Sequence, residues 1–211
     1  MAEYDNLLHE KVSWRRQEFI IGADEAGRGA LAGPIVGAAV IFNKHQTGIP
    51  PFITDSKKLT PQARSEACQW ILNNCLSYYC VFRAPALIDA MNIDVCNEYV
   101  LKSSIMKAEE DAGIIVSTAL IDGNMFVSLP LRIATKLLAH GELRSVSIAA
   151  ASIVAKVQRD AYMKEIHEVH SVYGFDKHKG YGTPQHIKAM KEHGRCAMHR
   201  KTFRVKGVDY D

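Results

Sequence analysis

The chain has 211 residues, 47% of them hydrophobic, which suits a single domain with a core of its own. No apolar run approaches the roughly 18 residues of a membrane span, and residues 1–17 are too polar for a secretory signal. The net charge of +3 is small, and five irregularly spaced cysteines without a CxxC pair predict reduced thiols in a cytoplasmic protein, not a disulfide framework or a zinc site.

In chain order, runs of apolar and β-branched residues predict strands, and helical spacing with capping residues predicts helices. A chain of this kind is typical of an α/β protein in which helices cover a central sheet. The predicted strands are residues 19–24, 35–42, 78–83, 114–121 and 131–138, and the predicted helices are residues 61–74, 94–112, 147–172 and 184–193.

The end of the chain is strongly basic. Residues 177–206 contain nine Lys or Arg residues and one acid, Glu192, so this stretch carries +8 and the remainder −5. Such an asymmetry indicates a phosphate-rich partner. A solvated basic face is the alternative, and charge alone does not separate the two.

Three acids follow or end apolar strands. Asp24 and Glu25 come at the end of the first predicted strand, and Asp122 ends the fourth. Strand ends are where α/β sheets place their sites. Because successive strand residues point to opposite faces, we expect Asp24 and Glu25 to converge only if the chain turns at Glu25, which Gly27 and Gly29 permit. Taken alone, Asp122 is also compatible with a simple turn.

Clustered carboxylates without His or Cys partners favour hard cations such as Mg²⁺ or Mn²⁺. A pair of such ions activates a water and stabilises the leaving oxygen of a phosphodiester. That chemistry needs three or four acids, so the strand-end residues predict a metal-dependent hydrolase only if a further acid joins them.

The glycine-rich segment at residues 22–34, Gly-Ala-Asp-Glu-Ala-Gly-Arg-Gly-Ala-Leu-Ala-Gly-Pro, resembles the signature of the ribonuclease HII family. Together with five further segments, it spans roughly residues 19–205 in the family's order. These segments are Asp-Ser-Lys-Lys-Leu at 55–59, Asp-Gly-Asn at 122–124, Ala-Ala-Ser-Ile-Val-Ala-Lys-Val-Gln-Arg-Asp at 150–160, Gly-Phe-Asp-Lys-His-Lys-Gly-Tyr at 174–181 and His-Arg-Lys-Thr-Phe at 199–203.

This resemblance implies an RNase H-like fold with a mixed sheet of about five strands flanked by helices. It divides the chain into a polar N-terminal segment (1–18), a catalytic domain (19–172) and a basic, helical, substrate-binding extension (173–211). The implied enzyme is a monomeric endonuclease of DNA replication and repair. It hydrolyses RNA in RNA/DNA hybrids and at single ribonucleotides embedded in duplex DNA, using two divalent ions, Mn²⁺ or Mg²⁺, and leaving 3′-hydroxyl and 5′-phosphate ends.

The resemblance also implies four acidic metal ligands that carry the catalysis. Three of them map to Asp24, Glu25 and Asp122. The family usually has an Asp in a Gly-Asp pair before the Ala-Ala-Ser segment, whereas this chain has Glu142 there, so we assign Glu142 as the fourth and keep Asp160 as the alternative. An acidic set ending in Glu is more like the sister group, ribonuclease HIII. The longer side chain is expected to shift the second metal or to change the preference between Mg²⁺ and Mn²⁺.

Substrate contacts are implied for nine residues. In the family the segment Gly27-Arg28-Gly29 contacts the 2′-hydroxyls near the cut, and a backbone that approaches a sugar closely needs glycine. Tyr181 is expected to stack on the deoxyribose side of an RNA–DNA junction. The candidate phosphate contacts are Ser56, Lys57, Lys156, Lys177 and Lys179.

Three other interpretations remain open at this stage. The first is a hybrid nuclease of the HIII type without junction preference, although Arg28 between two glycines and the short segment before the first strand favour HII. The second is a non-catalytic module that binds hybrids, against which the clustered acids argue, because like charges are costly without metal. The third is another two-metal nuclease of the same fold, such as a junction resolvase.

Overall fold

The computed structural model describes residues 6–205, and the elements below lie within them. The strands are β1 (Phe19–Ala26), β2 (Ile35–Ile41), β3 (Ser77–Arg83), β4 (Val116–Asp122) and β5 (Ala134–Leu138). The α-helices are α1 (Leu8–Arg15), α2 (Pro61–Asn74), α3 (Pro85–Met91), α4 (Ile93–Ala112), α5 (Val146–Val169), α6 (Phe175–His178) and α7 (Pro184–His193). Short 3₁₀ helices cover Gly141–Leu143 and Ser171–Tyr173.

The five strands form one mixed sheet in the order β3-β2-β1-β4-β5. β1 pairs with β2 and β2 with β3 in antiparallel fashion, whereas β1 with β4 and β4 with β5 are parallel. The last pair in the β1–β4 register is Ala23 with Ile121, so the next residues, Asp24 and Asp122, lie beside each other where the pairing ends. The predicted mixed sheet flanked by helices is confirmed.

Helices cover both faces of the sheet. Ala38 and Val40 of β2 pack into a core shared with α2 and α5, while the alternate residues Ala39 and Ile41 pack into a second core with α4. This alternation is the two-residue period of a strand that is buried on both sides. It places α5 and α4 on opposite faces of the central strands, with β1 between them.

Several predicted boundaries shift. β1 continues two residues beyond its predicted end, because Glu25 and Ala26 still pair with β2. The predicted fourth and fifth strands begin later than expected, at Val116 and Ala134. The long helix ends at Val169, and the 3₁₀ helix that follows takes the rest of the predicted span. The helices α1, α3 and α6 were not predicted.

The N-terminal helix α1 docks on the rest of the protein. Trp14 and Glu10 are buried on its inner side. The Glu10 carboxylate accepts hydrogen bonds of 2.6 Å from the Ser145 hydroxyl and 3.0 Å from the Ser147 amide, so it caps the N-terminus of α5. The described part of the predicted polar N-terminal segment, residues 6–18, is therefore bonded to α5, the helix that borders the site. Among the described helices, none is long and apolar enough to span a bilayer.

Candidate active site

An acidic cavity of about 440 Å³ opens where β1 and β4 end. Asp24 and Asp122 lie on its wall because the parallel pairing brings the two strand ends together. The cavity is lined by Asp24, Glu25, Ala26, Gly27, Arg28, Gly29, Ser56, Lys57, Asp122, Ser152, Lys156 and Tyr181. Ten of these twelve are residues that the sequence predicted as site residues.

The prediction that the chain turns at Glu25 is wrong. Glu25 pairs with Gly37 and Ala26 with Val36, so the strand runs on past both acids. Both side chains nevertheless line the cavity. Both acids lie at the end of β1, beyond the last residue that pairs with β4. Without β4 beside them, side chains from either face of β1 can reach the same cavity.

Burial and neighbouring charges raise the pKa of two acids of the cavity. Burial, followed by the charges of Glu25 and Asp122, raises the pKa of Asp24 well above its ordinary value. Burial also raises the pKa of Glu25, which the charge of Arg28 lowers and that of Asp122 raises. Buried like charges disfavour the ionised state of each group. A cation bound among these carboxylates would relieve that repulsion.

Glu142 stands next to this group, just after β5. The Gly141 amide donates a 2.7 Å hydrogen bond to Oδ1 of Asp122, which ties the 3₁₀ helix carrying Glu142 to the end of β4. Glu142 is only 8% exposed, and its Oε2 has no hydrogen-bond partner among the described residues. Burial raises its pKa, and the nearby Asp122 adds to the shift. Glu142 is therefore close to the acids of the cavity, although it does not line the cavity itself.

Asp160, the alternative acid, is paired elsewhere. Its carboxylate lies 2.8 Å from Nζ of Lys156, one helical turn earlier, and 3.9 Å from the Arg64 guanidinium. It lines a second cavity of about 480 Å³ rather than the cavity that holds Asp24. A carboxylate with two cationic neighbours is already compensated, whereas the buried oxygen of Glu142 is not.

The donors of the acidic cavity fit a hard divalent cation, since they are carboxylate oxygens, and the buried, unpartnered Oε2 of Glu142 lies on the turn next to them. Within residues 6–205, no three His, Cys, Asp or Glu side chains converge closely enough to hold an ion by themselves. Mg²⁺ is usually bound by one or two carboxylates together with water and substrate phosphate oxygens. The acids present fit that mode of binding rather than a closed protein cage.

The glycine loop, residues 27–34, contains three glycines, of which Gly27 and Gly29 differ in what surrounds them. Gly27 has a φ of +91°, and a side chain there would collide with the guanidinium of Arg159. At Gly29, by contrast, no atom lies within 4 Å of the position that a Cβ would take. The fold therefore requires glycine at Gly27 but not at Gly29. The absence of a side chain at Gly29 leaves open space at the wall of the acidic cavity.

Two fully buried arginines hold the carbonyl groups of this loop. Arg159 donates to the carbonyls of Pro34 at 2.9 Å and Ala32 at 3.1 Å. Arg200 donates to those of Arg28 at 2.8 Å and Gly27 at 2.7 Å. The two arginines thus occupy carbonyl oxygens of the loop. The backbone amides of residues 28 and 29, in contrast, donate no hydrogen bond within the described part of the chain. They are available to a ligand in the cavity.

The Arg28 side chain extends away from that buried pair. Its guanidinium makes a 2.7 Å ion pair with Asp94 at the start of α4, and both side chains are largely exposed. An exposed pair of this kind contributes little to stability. Arg28 is therefore free to exchange its partner for a phosphate at the cavity rim.

The predicted phosphate contacts divide between the two cavities. Ser56 and Lys57 line the acidic cavity, Lys177 and Lys179 line the second one, and Lys156 lines both. Tyr181 also borders both cavities, with its ring centre 5.5 Å from Nζ of Lys156 and 5.3 Å from the Arg159 guanidinium. The basic second cavity thus continues the acidic one past Tyr181.

Sequence reasoning missed three residues at the site. The Ser152 hydroxyl lies 2.9 Å from that of Ser56 and stands beside Asp24, whose ionised form it favours. Ser152 belongs to the Ala-Ala-Ser segment, so its signal was present without an assigned role. Arg159 and Arg200 also lie in matched segments, but an arginine in a sequence gives no sign of being buried.

Comparison with known proteins places this site in a family. The family model for ribonuclease HII matches residues 21–206. The chain is 41% identical over 186 residues to the ribonuclease HII of Paraburkholderia xenovorans, an alignment that covers 88% of this chain and 72% of the relative. Proteins of this family use divalent metal ions.

Solved structures share the fold. The ribonuclease H2 of Pyrococcus horikoshii superposes with a TM-score of 0.73 at 21% identity, covering 88% of this chain and 93% of that one. A ribonuclease HIII crystallised with Mn²⁺ gives a TM-score of 0.70 at 18% identity, covering 88% of this chain and 67% of that one. The family match, its coverage and the order of its segments agree with the geometry of the site. The chain belongs to the ribonuclease HII family, the endoribonucleases that cut the RNA strand of RNA/DNA hybrids.

Proposed function

We propose that this enzyme also cuts at single ribonucleotides embedded in duplex DNA, and that it uses two divalent ions held by Asp24, Glu25, Asp122 and Glu142. The observation that carries the proposal is that acids of β1 and β4 line one cavity beside a glycine loop with open space at Gly29, while the turn that carries Glu142 is bonded to Asp122 through the Gly141 amide. Product ends would be a 3′-hydroxyl and a 5′-phosphate.

The four acids would hold the ions from different positions. Asp24 and Asp122, side by side at the strand ends, are placed to share one cation, while Glu25 and Glu142 stand on either side of them. When bound, two ions supply an activated water and stabilise the leaving oxygen of the phosphodiester. Mn²⁺ and Mg²⁺ both suit oxygen ligands, and the extra methylene of Glu142 is expected to affect the choice between them.

The glycine loop would recognise the ribose. A 2′-hydroxyl both donates and accepts hydrogen bonds, which distinguishes RNA from DNA. The amides of Arg28 and Gly29 have no acceptor among the described residues, and the space over Gly29 admits a sugar. Arg28 is placed to contact a phosphate at the rim. A side chain at Gly29 would obstruct the sugar without disturbing the protein.

Tyr181 and the lysines would hold the DNA that continues from the cut. Stacking of a nucleotide on an aromatic ring contributes about 1–3 kcal/mol, and Tyr181 stands where the acidic cavity passes into the basic one. Lys156, Lys177 and Lys179 line that second cavity. Ser56 and Lys57 would serve the phosphate nearest the acids. Several such contacts predict affinity that falls steeply with salt.

An HIII-like activity without junction preference is the competing candidate, favoured by Glu142. Against it stand the Gly-Arg-Gly segment and the place of Tyr181 at the junction of the two cavities. The five cysteines, all free, fit work in a reducing, cytoplasmic compartment.

The deciding experiment is cleavage of a DNA duplex carrying one ribonucleotide, compared with a full RNA/DNA hybrid, in Mn²⁺ and in Mg²⁺. Efficient cutting of both substrates is expected. Cleavage of the hybrid alone would support the HIII-like alternative. Binding without turnover in either metal would indicate a module that only binds.

A further inference from the structure

Three buried or half-buried histidines surround the loop that carries Tyr181. The rings of His178 and His186 stack with centres 4.4 Å apart, and those of His186 and His199 lie 5.2 Å apart. His186 and His199 are at most 1% exposed. None of the three lines the acidic cavity, so they have no direct part in holding metal or the scissile phosphate.

When both rings are neutral, the hydrogen bonds of His186 and His199 favour one arrangement of their protons. Nδ1 of His186 lies 3.0 Å from the carbonyl oxygen of Tyr181, which only accepts, so this nitrogen donates. In a neutral ring Nε2 is then an acceptor, and at 3.1 Å it receives the Nε2 proton of His199. Nδ1 of His199 in turn accepts from the Cys196 amide at 3.0 Å, and the Cys196 thiol and carbonyl oxygen each lie 3.3 Å from it.

His178 completes the pattern on the other side of the loop. Its Nε2 donates to the carbonyl of Tyr173 at 2.7 Å, and its Nδ1 accepts from the Gly180 amide at 3.2 Å. The amide just before Tyr181 and the carbonyl of Tyr181 itself are therefore both held by imidazoles. The carbonyl of Gly180 accepts from the Leu31 amide at 2.9 Å, which joins this loop to the glycine loop.

The surroundings favour neutral rings. Burial lowers the pKa of His186 and of His199 to about 4. The groups that face them are largely cationic or neutral. For His186 these are His178 and the Tyr181 carbonyl, and for His199 they are His186, Arg195, His170 and Cys196. Burial also lowers the pKa of His178, which Asp176 opposes and Lys179 reinforces. At neutral pH each ring therefore has one donor and one acceptor.

We propose that His199 and His186, neutral and in opposite tautomers, form a hydrogen-bonded relay from the Cys196 amide to the Tyr181 carbonyl that positions Tyr181 at the rim of the acidic cavity. His178 holds the preceding peptide in the same way. His186 and His199 are positioning residues, because they act through Tyr181 and line neither cavity, whereas His178 also lines the second cavity. The inference rests on the junction role proposed for Tyr181.

The tautomers are tested directly by ¹⁵N–¹H NMR of the histidine rings in the wild-type enzyme at pH 7. The expected spectrum shows His186 protonated on Nδ1, and His178 and His199 protonated on Nε2, all uncharged. A His186 ring protonated on Nε2, or a charged ring at any of the three positions, would overturn the relay. This measurement needs no variant and no substrate.

The positioning role is tested by a double-mutant cycle on the two substrates. His186→Ala should lower kcat/KM on the one-ribonucleotide duplex more than on the hybrid, within the about 5–150-fold range of a lost stacking contact. Added to Tyr181→Ala, it should cause little further loss, since the ring that it positions is already gone. Independent, multiplying losses would contradict the positioning role.

Two control variants distinguish a positioning role from a general effect on folding. His186→Asn retains a donor that reaches the Tyr181 carbonyl and should restore part of the junction preference. His193→Ala, on the exposed side of the same helix α7, should behave as wild type, and a loss equal to that of His186→Ala would count against the relay. If Tyr181→Ala itself affects both substrates equally, the junction role fails, while the NMR spectrum still decides the tautomers.

Discussion

Oδ1 of Asp122 accepts a 2.7 Å hydrogen bond from the amide of Gly141. This bond joins the end of β4 to the turn that carries Glu142, and it fixes where the fourth acid stands. A side chain at Gly141 would meet Ile148 at 2.7 Å and Asp122 at 3.1 Å, so the turn has little room for another residue. The assignment of Glu142 as a ligand depends on this contact.

Glu142→Gln should nearly abolish cleavage while leaving hybrid binding intact, because the amide keeps the volume of the side chain but not its charge. Single-turnover cleavage and a binding titration on the same hybrid check this. Asp160→Asn is the matched comparison, and it should retain most activity because Asp160 is paired with Lys156. An active Glu142→Gln together with an inactive Asp160→Asn would make Asp160 the fourth ligand.

Gly29→Ala should fold with nearly unchanged stability but bind hybrid poorly, because the added methyl group meets open space in the free protein and a sugar in the complex. Gly27→Ala is the control. It should lower the free energy of unfolding by more than about 1 kcal/mol, since it combines a positive φ with a collision at Arg159. Urea unfolding and hybrid affinity separate the two. Normal hybrid affinity for Gly29→Ala would remove the role proposed for the open space.

Tyr181→Ala should lose more activity on a duplex with one embedded ribonucleotide than on a long hybrid. The expected difference corresponds to about 1–3 kcal/mol of stacking, since only the first substrate presents a single junction at the tyrosine. The ratio of kcat/KM for the two substrates, compared with wild type, measures it. Equal losses would leave Tyr181 as a residue of the loop with no part in reading the junction.

Asp24→Asn should unfold at a higher temperature than wild type without metal, although it is inactive. An acid whose folded pKa is raised binds its proton more tightly when folded. Stability from such a group is therefore lost as pH rises above the unfolded pKa, and at pH 7 the free energy of unfolding is lower than it would be with an uncharged group at position 24.

Mn²⁺ should stabilise the wild-type protein by about 2.7 kcal/mol at one hundred times its dissociation constant and Asp24→Asn much less. Thermal unfolding of both proteins with and without the ion checks this. A wild-type protein destabilised relative to Asp24→Asn even in saturating Mn²⁺ would mean that the carboxylates do not meet around the cation.

The free energy of unfolding should fall as pH drops from about 6.5 towards 4. In that range His186 and His199 bind protons in the unfolded state but stay neutral in the folded state. Each histidine contributes at most about 1.4 kcal/mol per pH unit in that window. The raised pKa values of Glu10 and Asp24 act in the opposite direction. The informative quantity is therefore the difference between wild type and a His186→Asn/His199→Gln variant, measured by urea unfolding. Parallel pH curves for the two proteins would contradict the prediction.

The apolar runs and the turn residues of the sequence predicted five strands and the main helices, because periodicity and caps are local properties. Matched segments also identified most of the residues that line the acidic cavity. The continuation of β1 through Glu25 and Ala26 was not predictable from the segment itself, since Gly27 and Gly29, which follow at once, permit a turn equally well. Pairing with Gly37 and Val36 decided it. The short helix α1 was likewise missed, because its stability comes from Glu10 and Trp14 buried against other elements.

The amino-acid sequence is enough to identify the available acids, the family of the chain and the hard-cation chemistry that these acids favour. Three relationships become visible only in the folded chain: Asp24 and Asp122 are neighbours, Asp160 is already paired, and the fold requires glycine at Gly27 but not at Gly29. Strand register, ion pairing and open space each depend on partners far away along the chain, so no local segment reveals them. The histidine relay shows the same dependence, since each ring's proton is assigned by a partner on another segment.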